Sequence, residues 1–533
     1  MPETRTAESM TGGAALARQL RAQGVEVIFG LPGDQLMAAL DALVDVPEIR
    51  YIVTRHEQAT TYMADGYARA GGKPGVAMVV PGVGVYNAAA GLATAYACSS
   101  PVCLIAGQVN RDGIGRDLGL LHDVHDQLDL VRPITKWARR VLDPAEIPGA
   151  IRDGFHAMTS GRKRPVEIEI PPETLAEKTD VELLEPLPAD VPAFDADAVE
   201  RAASLLAGAS FPLIVAGGGV VLGDATDQLL VVAELLQAPV ITTREGKGAI
   251  DDRHALSVGT MWVNPRMRPV IDAADVVLAV GTRFQGLNLA PHQQLVHVDV
   301  DPDQIGRNRA ADVAVAGDAR TALAALAELL APCPSRVNEI RAMRATSDAQ
   351  LREVGPQAAM VEALRAGVPD DGILVCDTTT VAYMCHMYYP VYEPRTYLST
   401  SYMGTLGFGY PAALGAKVAR PERAVVTVVG DGGFLFASNE LATAVQHGIH
   451  TVTVVFDDGA YGNSNRDQRE KYGGRELGTL LQNPDWVMLA HAFGAEGVVV
   501  DDVEKLPAAI RDATEVDAST VIAVPMDRLP SPF

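Results

Sequence analysis

No stretch of the 533-residue chain approaches about 18 consecutive uncharged apolar residues, so a membrane-spanning helix is not expected. Cysteines are few. The five (Cys98, Cys103, Cys333, Cys376 and Cys385) form an odd set with no CxxC spacing, which excludes a disulfide framework or a zinc cluster and makes them reduced core thiols of a reducing cytosol. Positive charge is also short, with 44 Lys and Arg against 67 Asp and Glu and a net charge of −23. With no basic patch to offset that acidity, nucleic acid and anionic membrane are excluded as partners. An apolar leader is missing: Met1 to Arg18 is polar with mixed charges, so no signal peptide is expected and the cytoplasm is the expected location. No short-period repeat occurs. What the chain does have is 48% hydrophobic and 21% charged residues, the balance of a folded soluble protein. At roughly 100 to 200 residues per domain, its length predicts three domains.

The pattern along the chain predicts an α/β protein of three Rossmann-like domains with parallel sheets. In the first domain, residues 1–175, the strands Glu26–Gly30, Tyr51–Thr54, Gly75–Val80, Pro101–Gly107 and Pro165–Ile170 alternate with segments of helical length such as Gln35–Val44 and Gln58–Ala70. The proline-rich stretch that follows is expected to be a linker over residues 176–194. A middle domain over 195–334 carries the strands Pro212–Ala216, Pro239–Thr242, Val276–Val280 and Leu295–Val300, with a Gly217-Gly218-Gly219 turn. A linker helix over 335–360 leads to a third domain, 361–533, with strands Ile373–Cys376, Val425–Val429 and Thr451–Phe456. The first and third share one βα rhythm.

The chemistry concentrates at Gly430-Asp431-Gly432-Gly433, which the strand Val425–Val429 delivers to its carboxyl end, where α/β sheets bind ligands. Glycines there let backbone N–H groups approach a phosphate, and a helix near Ser438–His447 adds a favourable N-terminal dipole. The strand Thr451–Phe456 then leads to Asp457-Asp458-Gly459-Ala460. A single crossover sets the two strands side by side, so Asp431 and Asp458 are expected at neighbouring strand ends. With a carbonyl they make an oxygen cage for a hard cation that keeps positions for phosphate oxygens. A Gly-Asp-Gly triplet alone arises by chance in a Gly-rich chain; its placement between two strands carries the metal diphosphate reading.

These residues resemble the thiamin diphosphate enzymes typified by acetolactate synthase and pyruvate decarboxylase. That family carries Gly-Asp-Gly and, further on, Asn-Asn, where this chain has Asp457-Asp458. Arg55-His56-Glu57-Gln58, Ala64-Asp65-Gly66-Tyr67-Ala68-Arg69 and Gly404-Thr405-Leu406-Gly407-Phe408-Gly409 are similar to its other segments. The resemblance implies thiamin diphosphate and Mg²⁺ as cofactors, with Asp431, Asp458 and the Ala460 carbonyl as metal ligands. Gly430, Gly432, Gly433, Tyr461, Thr378, Thr379 and Thr380 are the further candidates around the diphosphate, although Thr at a strand end is also an ordinary turn or cap residue. It implies that Glu57 bonds the aminopyrimidine N1′ and arranges loss of the thiazolium C2 proton; outside the motif, such a Glu would simply start a helix in solvent. Leu406 would hold the cofactor bent, or else be plain core, and the Gly404 carbonyl would accept from the 4′-amino group. Family members share each site between two chains, so a homodimer is the implied minimum and a homotetramer the expected assembly.

The resemblance divides over the reaction. Phe29-Gly30-Leu31-Pro32-Gly33-Asp34 is similar to pyruvate decarboxylase, whose Asp at the Asp34 position handles protons, whereas Arg55–Arg69 and Gly91–Gln108 are similar to acetolactate synthase. The substrate-facing Phe-Gln pair of the synthases is replaced by His122-Asp123, in a segment similar to decarboxylases of larger 2-oxo acids. The bland alternatives are a helix cap for Asp34 and a solvent-exposed loop for His122. The synthases' selecting Trp falls at Asp467, and the decarboxylase Glu at Ser464. An Asp at 458 in place of Asn adds charge that favours a cation and repels the diphosphate. FAD, which synthases and some oxidases hold in the middle domain, is disfavoured because their Arg-Phe-Asp-Asp-Arg run becomes Arg283-Phe284-Gln285-Gly286-Leu287. The expectation is decarboxylation of a small-molecule 2-oxo acid through a C2-carbanion/enamine, with protonation to an aldehyde by Asp34 and His122-Asp123. Carboligation of the acetolactate synthase type is the close alternative; a flavin-dependent oxidase and a non-catalytic paralogue stand behind it.

Overall fold

The computed structural model describes residues 7–261 and 264–532, so the polar start expected over Met1 to Arg18 is described only from residue 7. Three six-stranded sheets, parallel throughout and flanked by helices, account for the three domains. Their strands are near-continuous runs of apolar and β-branched residues (Pro212–Ala216 is PLIVA, Val276–Val280 is VVLAV) because a parallel sheet is buried on both faces.

The first sheet runs, in spatial order, Arg50–Val53, Val27–Gly30, Gly75–Val79, Val102–Gly107, Val166–Ile170 and Trp137–Arg140. The third runs Tyr397–Ser399, Ile373–Cys376, Val425–Gly430, Val452–Asp457, Thr520–Pro525 and Glu496–Val499. Counted within each sheet, both follow the order 2-1-3-4-6-5, which is the structural form of the shared rhythm. The middle sheet (Ser257–Thr260, Val240–Thr242, Pro212–Ala216, Val276–Val280, Gln294–Asp299, Val313–Ala316) follows 3-2-1-4-5-6, the order of a doubly wound nucleotide-binding fold. In each case the order reverses between two central strands, and a crevice opens there at their carboxyl ends.

The proline-rich stretch is not wholly a connector, because Lys178–Val181 pairs antiparallel with Glu8–Thr11. The short run of alternating residues was hidden among the prolines. The helical linker is two helices, Val337–Arg352 and Gly355–Gly367, broken at Val354–Gly355, where Gly355 takes φ +56°. No described helix is long and apolar enough to cross a membrane.

By compactness the chain forms two units. One comprises the chain up to Asp190 together with Tyr402–Pro421 and Phe436–His450. The other comprises Val191–Ser401, Glu422–Leu435 and the chain from Thr451 onward. In the first unit the helices Glu57–Gly71 and Gly409–Ala419 pack with their backbones in contact. A Cβ on Gly66 would stand 2.0 Å from the Ala412 carbonyl oxygen, and one on Gly415 only 1.9 Å from that of Met63, so neither glycine admits a side chain.

Candidate functional site

In the first unit, the strand Arg50–Val53 ends in a loop fixed by residues far along the chain. The Arg55 amide donates to both Glu440 carboxylate oxygens at 3.1 Å, and the Val53 amide donates to His447 Nε2 at 3.1 Å. Burial holds the Glu440 carboxyl above its usual range, against the opposing hydrogen bond from Thr443 and those from the Arg55 and His56 amides. His56 then caps the next helix, its Nδ1 accepting from the Gln58 amide. This delivers Glu57 in the first turn, only 8% exposed, with its Oε2 accepting from Asn87 Nδ2 at 2.9 Å. Asn87 lies on the helix Val83–Cys98, and seven residues along that helix Thr94 shares a hydrogen bond of 3.1 Å with Thr405, between Gly404 and Leu406. Seven residues is two turns, so Asn87 and Thr94 share a face. The structure thus gathers Glu57, Gly404 and Leu406 along one helix. Gly404 is exposed at φ +63°, and Leu406 is half-buried rather than core. By contrast, the Ala64–Arg69 motif is a packing motif: Gly66 admits the neighbouring helix, and fully buried Asp65 pairs with Arg69 at 3.2 Å.

Asp34 and His122 occupy loops at the switch point of the first sheet, after Val27–Gly30 and beside the turn that follows Gly75–Val79. Asp34 is exposed and opens the short 3-10 helix Asp34–Leu36; the residue before it, Gly33, is the cap, and no side chain caps that helix. Next to it, Gln35 Nε2 donates to the Leu121 carbonyl at 3.1 Å, tying the Asp34 loop to the His122 loop. His122 is half-buried with φ +67°, an uncommon conformation for a histidine, and its carbonyl oxygen would lie 2.3 Å from a Cβ on Gly82. Asp123 is partly spent on structure: Oδ2 accepts from the Gly119 amide at 3.1 Å, while Oδ1 is buried without a partner. Beside these loops lies a cavity of about 330 Å³ lined by Asp34, Gln35, Asn110, Arg116 and Leu121 among others. A buried polar network supports the region. Gln127 accepts from the Gly82 amide and donates to the Gly107 carbonyl and to Glu169, and Glu169 is bonded by Arg140.

In the second unit, Val425–Gly430 and Val452–Asp457 lie side by side in parallel, with Gly430 opposite Phe456, so Asp431 and Asp458 follow neighbouring strand ends as their spacing predicts. The helix that starts there is Asp431–Leu435, immediately after the strand, and not Ser438–His447, which belongs to the first unit and holds the Arg55 loop. The Gly430 turn lacks the extra residues that the dipole expectation required. Thr378, Thr379 and Thr380 occupy the other side of the switch point, after Ile373–Cys376. A Cβ on Gly430 would stand 3.1 Å from Thr379 Oγ1, and one on Gly432 would stand 2.5 Å from the Tyr461 ring. Thr379 precedes the helix Thr380–Tyr388 without a side-chain cap bond, so capping does not account for it. Gly433 lies beside Asp377, and Ala460 is buried, bridged to Leu480.

The donor set fits a divalent cation and its phosphates. Burial and the neighbouring Asp431 charge push Asp458 up to about 6, and burial likewise raises Asp431. Both shifts mark carboxylates crowded together where a cation would relieve them. Among the described residues no cluster of three or more His, Cys, Asp or Glu side chains could hold a metal.

Sequence reasoning missed the residues that brace this site. Asn483 Nδ2 donates to Asp431 Oδ2 at 2.6 Å and to Asp457 Oδ1 at 2.7 Å, and Trp486 Nε1 donates to Asp457 Oδ2 at 2.6 Å. Nothing local in Asn483-Pro484-Asp485-Trp486 announces this. Asn87 did leave a signal: it and Thr94 are polar on an otherwise apolar helix, seven residues apart. At the flavin question, Gly217 and Gly219 are explained by packing, because their Cβ atoms would collide with Gly281.

Three family models match the chain in order: thiamine pyrophosphate enzyme, N-terminal TPP binding domain, over residues 10–131; the central domain over 199–326; and the C-terminal TPP binding domain over 377–524. Thiamine pyrophosphate is another name for thiamin diphosphate. The chain is 35% identical to a probable acetolactate synthase large subunit of Methanocaldococcus jannaschii, covering 98% of this chain and 93% of the relative. It is 34% identical to a probable 2-ketoarginine decarboxylase of Pseudomonas aeruginosa (95% and 92% covered) and 32% identical to the acetolactate synthase isozyme 3 large subunit of Escherichia coli (95% and 93% covered).

Proposed function

Because the chain belongs to the thiamine pyrophosphate enzyme family, we propose that it removes the carboxyl group of a 2-oxo acid as CO₂ and releases the rest as an aldehyde. The observation that carries this reading is the pairing of the Asp34 and His122 loops through Gln35 and Leu121 at the first sheet's switch point, with His122-Asp123 standing where the synthases carry Phe-Gln. A polar acid and base there suit delivery of a proton to carbon. When bound, the cofactor supplies the electron sink that lets the carboxylate leave. Glu57, steadied by Asn87, would hold the aminopyrimidine side, with Gly404 and Leu406 on the same helix face. Asp431, Asp458 and the Ala460 carbonyl would hold Mg²⁺, and Thr378–Thr380 with Gly430, Gly432, Gly433 and Tyr461 would surround the diphosphate. The reaction consumes one proton and no oxidant, so FAD is not required by it. On the resemblance alone, a homodimer is the smallest assembly proposed and a homotetramer the expected one.

A second reading, carboligation to a second carbonyl compound, is favoured by the acetolactate synthases among the relatives. One experiment separates the two: CO₂ release from a panel of pyruvate, branched, aromatic and guanidino 2-oxo acids with thiamin diphosphate and Mg²⁺, each product identified by mass. Free aldehyde supports decarboxylation, a C–C coupled product moves the enzyme to the ligases, and no release from any acid overturns both.

A further inference from the structure

Two buried glutamines bracket the loop that carries His122. At its start, Gln35 donates to the Leu121 carbonyl at 3.1 Å. At its end stands Gln127, 0% exposed, the first residue of the short helix Gln127–Val131. One turn along the same face Val131 is ordinary apolar core, so burial alone does not require an amide at 127. The Gln127 side chain is fixed in one orientation. Its Nε2 donates to the Gly107 carbonyl at 3.1 Å and to Glu169 Oε2 at 2.8 Å, two acceptors that the amide oxygen could not face. Oε1 is thereby turned to the Gly82 amide, which donates to it at 2.9 Å. Arg140 locks the acid end, bonded to Glu169 and, at 3.2 Å, to Asp126, the cap of the Gln127 helix.

Gly82 is where this network meets the site. Its φ is +54°, and it lies so close to His122 that a Cβ on it would stand 2.3 Å from the His122 carbonyl oxygen. His122 itself is held at φ +67°, a conformation that persists in a histidine where its neighbours over-determine it. A fully satisfied buried amide suits that task, since it adds little net stability but specifies one geometry. The Glu57 side of the site does not depend on Gln127. Asn87, which steadies Glu57, lies on the helix Val83–Cys98, and that helix is held next to Asn87 by Thr61, whose hydroxyl donates to the Ala88 carbonyl at 2.9 Å.

We propose that Gln127 is a positioning residue for the last proton transfer: by fixing Gly82 it holds His122 in the conformation that delivers a proton to the carbon CO₂ has left. The proposal rests on the 2-oxo acid reading above. Being fully buried, Gln127 acts only through His122.

The test uses the full chain loaded with thiamin diphosphate and Mg²⁺, turning over a 2-oxo acid that it decarboxylates, with ferricyanide present. A carbon that is protonated leaves as the aldehyde; one that waits is oxidised by ferricyanide, with water supplying the oxygen, and leaves as the carboxylic acid. Gln127→Leu should raise the acid-to-aldehyde ratio by about tenfold while C2 proton exchange of the cofactor changes by less than about twofold. His122→Ala should raise the ratio at least as much, and adding Gln127→Leu to it should raise it no further. Gln127→Glu, of the same shape but lacking the two donors, should shift the ratio in the same direction and stands in if the leucine variant does not fold. An unchanged ratio, an equal fall in exchange and aldehyde release, or additive effects of the two substitutions overturns the proposal. A second arm needs no turnover. In histidine-selective NMR of the substrate-free protein, Gln127→Leu should move the His122 ring signal, identified by its absence from His122→Ala, and leave that of His447 in place. If it does so where no 2-oxo acid releases CO₂, the positioning stands and the reaction reading falls; an unmoved His122 signal, or a general displacement of the histidine signals, overturns the positioning.

Discussion

Asn87 steadies Glu57 from an otherwise apolar helix, and the two residues make separable predictions. Glu57→Gln should leave the fold intact and slow proton exchange at C2 of the bound cofactor by about a hundredfold or more, read by deuterium exchange in NMR; unchanged exchange would remove Glu57 from its proposed role. Asn87→Ala should lower the same exchange by about tenfold, the worth of one hydrogen bond to a charged group, without weakening cofactor binding. In the other unit Asn483 bridges two carboxylates. Asn483→Ala removes the donor that fixes the orientation of the Asp431 carboxylate, so Mg²⁺ titrations should show cation binding weaker by about tenfold. These residues differ in how far the sequence discloses them. Asp431 and Asp458 follow strand ends in short motifs, where spacing fixes their placement, whereas Glu57, in the first turn of a helix, is disclosed only by the family resemblance. Asn483 reaches Asp431 only because the fold returns it, and no local pattern encodes a contact between residues so far apart in the chain.

The helix pair Glu57–Gly71 and Gly409–Ala419 packs through glycines, so Gly66→Val should force the backbones apart and destabilise the protein by about 3 kcal/mol, seen as a lower melting temperature. The strand Val166–Ile170 tests a different property. Its alternation of Val and Ile with Glu suggests one wet face, yet Glu167 and Glu169 are both 0% exposed. Neither oxygen of Glu167 has a hydrogen-bond partner. Burial, then the neighbouring Glu169, pushes Glu167 well above the ordinary 4.5. The native state therefore keeps a proton that the unfolded chain releases, and this contribution to stability is complete below about 4.5 and falls as pH rises through the folded value. Glu167→Gln should melt higher than the native protein by a margin that grows from about pH 5 to about pH 8; a margin independent of pH would mean that Glu167 stays ionised. At this scale the central strands were legible, since a strand buried on both faces has to be apolar, with one exception: Thr520–Pro525, buried between Val452–Asp457 and Glu496–Val499, was not read as a strand. Edge strands such as Tyr397–Ser399 and Glu496–Val499 were not, because they are short and Glu496–Val499 is largely exposed, which leaves no apolar run to read.

For the whole molecule, the family's domain order does not coincide with its compact units. Residues matched by the C-terminal family model, Tyr402–Pro421 and Phe436–His450, complete the first unit. A fragment ending at Asp190 would therefore lack the helix that covers Gly66 and the Glu440 and His447 groups that fix the Arg55 loop. Expressed alone it should lose its near-ultraviolet circular dichroism or aggregate, and a monodisperse, rigid fragment would show that the borrowed helices are dispensable. No sequence pattern separates such a loan from an ordinary helix of the third domain, since either partner would bury the same apolar face. The loan also sets a timetable for synthesis. The ribosome makes the start of the first unit early but its last pieces only after His450, and at about 5–20 residues per second that is a wait on the order of tens of seconds. Throughout that interval the nascent chain presents an unfinished surface, and its natural guardian would be a chaperone that engages during translation rather than after it.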